Sequence, residues 1–112
     1  MQVQRERFNK MGHDIFSYDL KKVTYLRRSM WSKTIKVLYE LLGAEDSFQS
    51  VSGNGDYHFI EKETFELALK QLPKSALKHT DEEDYKDYSA FIQSCINYCK
   101  LNKKDGLLIQ FT

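Results

Sequence analysis

Proline occurs once in this 112-residue chain, glycine five times and cysteine twice. So little proline and glycine excludes collagen-like and low-complexity architectures. Two cysteines cannot build a disulfide framework, and Cys95 and Cys99, one turn apart on a helix, are poorly placed to bridge each other. They suit a reducing compartment. No apolar run approaches the roughly 18 residues a membrane span needs, and Met1–Lys10 is polar, without the apolar stretch of a signal peptide. A cytoplasmic location and no membrane partner are therefore expected. Phosphate-cradling glycine loops, nucleophile elbows and paired Cys/His signatures are all missing. His13, His58 and His79 lie far apart and hold no ligand spacing with the cysteines. These absences argue against an enzyme, a metal site, a cofactor or a small-molecule substrate.

What is present is the composition of a compact globule: 41% hydrophobic, 13% aromatic and 29% charged residues, enough for one domain over residues 1–112. The formal charge of +1 hides a strong asymmetry. Residues 1–40 hold nine basic against four acidic side chains, residues 41–72 two against six, and residues 73–112 six against six. Lys21, Lys22, Arg27, Arg28, Lys33 and Lys36 fall between Leu20 and Tyr39 with no acid among them. Such a block is the electrostatic footprint of a polyanion-binding surface, or else a solvated basic helix face.

Apolar spacing predicts a first helix over Tyr18–Leu26, from Leu20, Val23, Thr24 and Leu26. After Arg27-Arg28-Ser29-Met30 a second helix is expected over Ser32–Leu42, its stripe made by Ile35, Leu38, Leu41 and Leu42, with Val37 beside it and Gly43 ending it. Gly53-Asn54-Gly55 between the strand-like runs Phe48–Ser52 and Asp56–Ile60 predicts a tight hairpin. A third helix follows over Lys62–Leu72 and stops at Pro73. Thr80-Asp81-Glu82-Glu83 has the form of a capping box opening a long helix, whose apolar positions Tyr85, Tyr88, Phe91, Ile92, Cys95, Ile96 and Cys99 run to about Leu101. A last strand is expected at Leu107–Phe111. Gln2–Phe8 reads equally as strand or helix.

Helix, turn, helix, hairpin, helix is the order of a winged helix-turn-helix. Over Tyr18–Leu69 the chain resembles the MerR and excisionase type, through Leu20-Lys21-Lys22-Val23-Thr24, then Ser32-Lys33-Thr34-Ile35-Lys36-Val37-Leu38, then Gly53-Asn54-Gly55-Asp56-Tyr57-His58-Phe59 leading into Thr64-Phe65-Glu66-Leu67. The expected fold class is thus α+β: a winged helix-turn-helix core at residues 18–72 with a small antiparallel sheet, plus a C-terminal helix and strand at residues 80–112. The resemblance implies double-stranded DNA as partner and a second helix that reads bases, which falls on Lys33, Thr34, Lys36 and Val37. Phosphate contacts would come from Lys21, Lys22, Arg27, Arg28 and Ser32, and wing contacts from Ser52 and Asn54. A homodimer, or several copies on adjacent half-sites, would supply the second reading element. In size the chain is also similar to small DNA-binding accessory and regulatory proteins of Gram-positive conjugative plasmids, encoded with type IV secretion genes.

Several side chains carry two readings. Trp31 packs into the core or stacks on a sugar beside the basic run. Tyr57 and Phe59 read as wing-to-core packing, with a base-stacking platform as the alternative. Cys95 and Cys99 read as small buried thiols on an apolar helix face. The rival to DNA binding is a protein-interaction module that docks a secretion or replication assembly through the helix Tyr85–Cys99 and the strand Leu107–Phe111.

Overall fold

The computed structural model describes residues 12–17 and 24–112. In chain order these form β1 (His13–Ser17), β2 (Tyr25–Arg28), α1 (Ile35–Leu41), a 3-10 turn (Glu45–Ser47), β3 (Tyr57–Glu61), α2 (Lys62–Gln71), a second 3-10 turn (Leu72–Lys74), the single turn α3 (Leu77–Thr80), α4 (Glu82–Leu101) and β4 (Gly106–Phe111). The strands make one antiparallel sheet in the order β2-β1-β4-β3. The α+β class and the antiparallel sheet are as the sequence implies.

Where periodicity is long, the elements fall as expected. In α4 the buried side chains are Tyr88, Phe91, Ile92, Cys95, Ile96 and Cys99, spaced three or four apart as a one-sided helix requires. Its cap is Asp81, whose carboxylate accepts the Asp84 N–H at 3.2 Å. Thr80 does not cap α4; it closes α3, its hydroxyl donating to the Ala76 carbonyl. Phe65 and Ala68 of α2 are buried, with Leu72 and Pro73 in the turn that follows. Ser32 Oγ accepts from the N–H groups of Thr34 (3.4 Å) and Ile35 (3.3 Å) and so starts α1, while Gly43, at φ 70°, ends it.

Two of the expected elements fail, and both failures concern strands. The first helix expected over Tyr18–Leu26 is contradicted at its end, because Tyr25–Arg28 is a strand; residues 18–23 lie outside the described residues, as does Gln2–Phe8. Thr24 and Leu26 are buried while Tyr25 and Arg27 are exposed. That is an alternation of two, and pairing with β1 fixes it. The wing hairpin is also absent: Phe48 and Gly53 share a single bridge, and the strand after the turn pairs with β4 instead. Gly53 explains why. A Cβ there would stand 2.4 Å from the Phe111 carbonyl oxygen, so the loop lies flat against the end of β4, where Gly55 N–H also donates to Phe111 O. The C-terminal strand is consequently no appendage, since it sits between β1 and β3.

The helices cover one face of the sheet. Ile15, Leu26, Ile60, Leu107, Ile109 and Phe111 meet Ile35, Leu38 and Tyr39 of α1, Phe65 of α2 and Ile92 and Cys95 of α4 in one core. Strand alternation then turns Asp14, Phe16, Tyr25, Arg27, Tyr57, Phe59, Leu108 and Gln110 to the opposite face. On it Tyr25, Tyr57 and Phe59 are 55%, 49% and 59% exposed, so neither Tyr57 nor Phe59 is the core residue the alternation suggested.

Candidate nucleic-acid interface

Arg28 ends β2, and the backbone then turns through Ser29–Ser32 into α1. Ser29 organises the turn: its hydroxyl accepts the Trp31 N–H at 3.0 Å and its carbonyl accepts the Ser32 N–H at 2.9 Å. This turn pushes Trp31 outward to 76% exposure, so the core reading of Trp31 is wrong. Lys33 and Lys36 are exposed beside it and take part in no ion pair among the described residues. Lys36 Nζ stands 5.8 Å from the centre of the Phe48 ring, a cation held near an aromatic face.

The other expected contacts are spent inside the protein. Arg27 Nη1 donates to Asp14 Oδ2 at 2.5 Å, and the Tyr25 hydroxyl donates to the other oxygen of the same carboxylate at 2.5 Å. Arg28 reaches α4, with Nε donating to Asp84 Oδ1 at 2.9 Å and Nη2 to Asp87 Oδ2 at 2.5 Å. Its guanidinium carbon lies 5.3 Å from the centre of the Tyr88 ring. Burial opposes the charge of Arg28, but Asp87 and Asp84 outweigh it and hold its pKa above the ordinary value. The Thr34 hydroxyl donates to Asp84 and lies 2.7 Å from the Tyr88 hydroxyl. Val37 is half-buried against the core, and Ser32 is occupied in starting α1.

At the expected wing, the Asn54 side chain is closed on Asp56 by two bonds of 2.9 Å, and Ser52 is half-buried with its carbonyl accepting the Gln49 N–H. Lys21 and Lys22 lie outside the described residues. Of the nominated residues, then, only Lys33 and Lys36 stand together and outward, with Trp31 joining them and the exposed Glu40 one turn further on.

Sequence reading missed three polar contacts made by His13 and His58. His13, fully buried, has Nε2 3.0 Å from the Ser50 carbonyl and Nδ1 2.9 Å from the Tyr39 hydroxyl. A carbonyl can only accept, so Nε2 carries the hydrogen and, in the neutral ring, Nδ1 accepts from Tyr39. Ser47 Oγ lies 2.7 Å from His58 Nε2. Although a serine beside a histidine is the start of a nucleophile, Ser47 is fully buried and no substrate carbonyl could approach it. Separations of 26, 37 and 11 residues leave no local signal for these pairs. Among the described residues no group of three His, Cys, Asp or Glu is placed to hold a metal, and no helix is long and apolar enough to cross a membrane. Comparison with protein-family models, curated proteins and solved structures returns no match.

Proposed function

We propose that this chain is a double-stranded DNA-binding protein, and that its contact set is Trp31, Lys33 and Lys36. The observation that carries the reading is the 76% exposure of Trp31 followed by Lys33 and Lys36, two exposed lysines without ion-pair partners among the described residues. Indole beside lysine suits sugar and phosphate. Lys33 lies just before α1 and Lys36 on it, so α1 is the element that enters the major groove in this reading. At seven residues it is about 10 Å long, comparable to a groove about 12 Å wide. Lys33 and Lys36 then reach base edges or the phosphates that flank them. A regulatory or architectural role follows from such binding, in a compartment where free Cys95 and Cys99 stay reduced.

The internal use of Arg27, Arg28 and Thr34 makes the contact small. Two lysine–phosphate contacts give a salt slope of about −1.8, or about a 12-fold loss of affinity between 50 and 200 mM salt. So weak a grip calls for a second copy on an adjacent half-site. The test is fluorescence anisotropy of a labelled random duplex over a salt series, repeated with Lys33→Glu and Lys36→Glu together. Binding with a shallow slope that the double variant abolishes supports the reading. A steep slope, or binding indifferent to both substitutions, overturns it.

A further inference from the structure

Residues 49–52 form a loop against the start of β1, outside the proposed duplex contact. Within the loop, Gln49 N–H donates to the Ser52 carbonyl at 2.9 Å and Val51 N–H to the Gln49 carbonyl at 2.6 Å. Among the described residues two hydrogen bonds tie it to the rest of the molecule: Gly12 N–H donates to the Val51 carbonyl at 2.8 Å, and His13 Nε2–H to the Ser50 carbonyl at 3.0 Å. Ser50 stands at φ 62°, a left-handed conformation unfavourable to an L side chain, and release of the loop would relax it. Gln49, Ser50 and Val51 are exposed, whereas the flanks are anchored, with Phe48 bridged to Gly53 and Asn54 N–H on the Ser47 carbonyl at 2.9 Å.

We propose that the 49–52 loop is a proton-operated latch, held shut by the neutral ring of His13 and released when that ring takes up a proton. Donors and acceptors enforce the coupling. The Ser50 carbonyl can only accept, so Nε2 carries the hydrogen of the neutral ring, and Nδ1 accepts from the Tyr39 hydroxyl at 2.9 Å. A second proton, on Nδ1, would oppose that hydroxyl; Tyr39 would have to reverse, and its own hydrogen would find no acceptor among the described residues. The ring would also become a buried cation with no carboxylate in contact. Beside it in β1, Asp14 points to the opposite face and is engaged by Tyr25 and Arg27. From β2, Arg28 is spent on Asp84 and Asp87. From α1, Lys36 stands 5.8 Å from the centre of the Phe48 ring, which itself stacks on His13 with centres 5.5 Å apart. From β3, His58 is bonded to Ser47, and Glu45 and Asp46 are exposed in the 3-10 turn. Of all these groups only Tyr39 bonds to the imidazole, and burial keeps its pKa below 6.5. Once the loop has left, water can hydrate the imidazolium, so proton uptake and loop release go together. This latch is independent of the duplex reading.

The Gly12 amide reads the latch, because its partner is the Val51 carbonyl, while the Gly55 amide, 2.8 Å from the Phe111 carbonyl, reads the sheet. Hydrogen exchange followed by NMR gives the protection of both amides in the full chain and in two variants. His13→Gln can still donate to Ser50 and accept from Tyr39 but does not titrate. His13→Phe keeps an aromatic ring beside Phe48 but can neither hold Ser50 nor titrate. With the imidazole of the open loop titrating near its usual pKa of about 6.5, the open population rises about 10-fold between pH 7.5 and 5.5. At pH 7.5, Gly12 should be at least about 10-fold less protected than Gly55, and low urea should leave its protection unchanged, since a local opening exposes little surface. By pH 5.5 its protection should fall about 10-fold in the parent and less than about twofold in His13→Gln, and His13→Phe should leave it weakly protected at both pH values. Exchange of Gly12 only together with Gly55, with the same urea dependence, would show that the loop opens by global unfolding alone and would overturn the latch. A Gly12 amide indifferent to pH in the parent overturns it too, as does a 10-fold fall that persists in either folded variant.

Discussion

Replacing Arg28 by methionine separates structure from nucleic-acid contact more sharply than any other substitution in the basic run. Methionine keeps most of the aliphatic stem and removes the guanidinium. Arg28 and Asp84 side chains are 18% and 17% exposed and Asp87 is 46% exposed, so the two ion pairs are unequal. The bond to Asp84 is charge-assisted and partly buried, worth about 1.5–3 kcal/mol, whereas the half-exposed Asp87 pair contributes about 0.2–1 kcal/mol. Contact with the buried Tyr88 ring adds about 0.5–1 kcal/mol. These shares overlap, and a net loss of about 2–4 kcal/mol follows. With an unfolding entropy of about 2.1 cal/mol/K per residue, that lowers Tm by about 8–17 °C. Thermal and urea melts of the variant, with Asp84→Asn and Asp87→Asn in double-mutant cycles, measure it. Coupling to Asp84 should exceed coupling to Asp87, and the folded variant should bind duplex DNA within about twofold of the parent affinity. A Tm change under about 2 °C combined with lost DNA affinity would refute the reasoning, since it would place the guanidinium on phosphate rather than on α4.

Three other perturbations follow from buried groups. Burial holds His13 below its usual pKa of 6.5, so the unfolded chain takes up its proton first as pH falls. The stability this neutral ring contributes is complete above pH 6.5 and declines below it, by at most about 1.4 kcal/mol per pH unit; melts between pH 7.5 and 5.5 should show that slope, and a folded His13→Gln variant should lose it. Burial pushes the Cys95 thiol up to about 12 and raises that of Cys99, so the native protein should resist a thiol-reactive dye at pH 8 and release two equivalents of reactive thiol on denaturation; rapid labelling of the folded chain would contradict this. Gly106→Ala would put a Cβ 2.4 Å from the Ile60 carbonyl oxygen, forcing β3 and β4 apart, and should cost about 1–3 kcal/mol in a urea melt; a neutral substitution would show that the two strands can shift freely.

Helices were legible in this sequence because their signals are local and repeated. Six buried positions at three- and four-residue steps define α4, and Phe65, Ala68 and Pro73 define and stop α2. Two strands were legible as well, the runs Asp56–Ile60 and Leu107–Phe111 that become β3 and β4, but β1, β2 and all the pairings were not, since each strand is four to six residues long and takes its register from distant partners. Leu26 fits a helical stripe as well as an alternation of two until β1 is placed beside it. Gly53-Asn54-Gly55 is a strong local turn signal, yet the contact of Gly53 with the Phe111 backbone and the pairing of β3 with β4 override the hairpin. In the candidate site, the concentration of positive charge was readable but its use was not. Asp84 and Asp87, 56 and 59 residues from Arg28, take up its charge through a tertiary contact without any local trace. Conversely, the exposure of Trp31 depends on a turn made by Ser29, which composition does not reveal.

The central claim concerns Trp31, the only tryptophan in the chain, and its own emission reads it directly. Iodide quenching of the free protein should show an accessible, solvent-exposed indole. Addition of saturating duplex DNA should reduce that accessibility severalfold, with the protection lost in the Lys33→Glu/Lys36→Glu variant. A quencher-resistant indole in the free protein, or duplex binding that leaves quenching unchanged, would contradict the account.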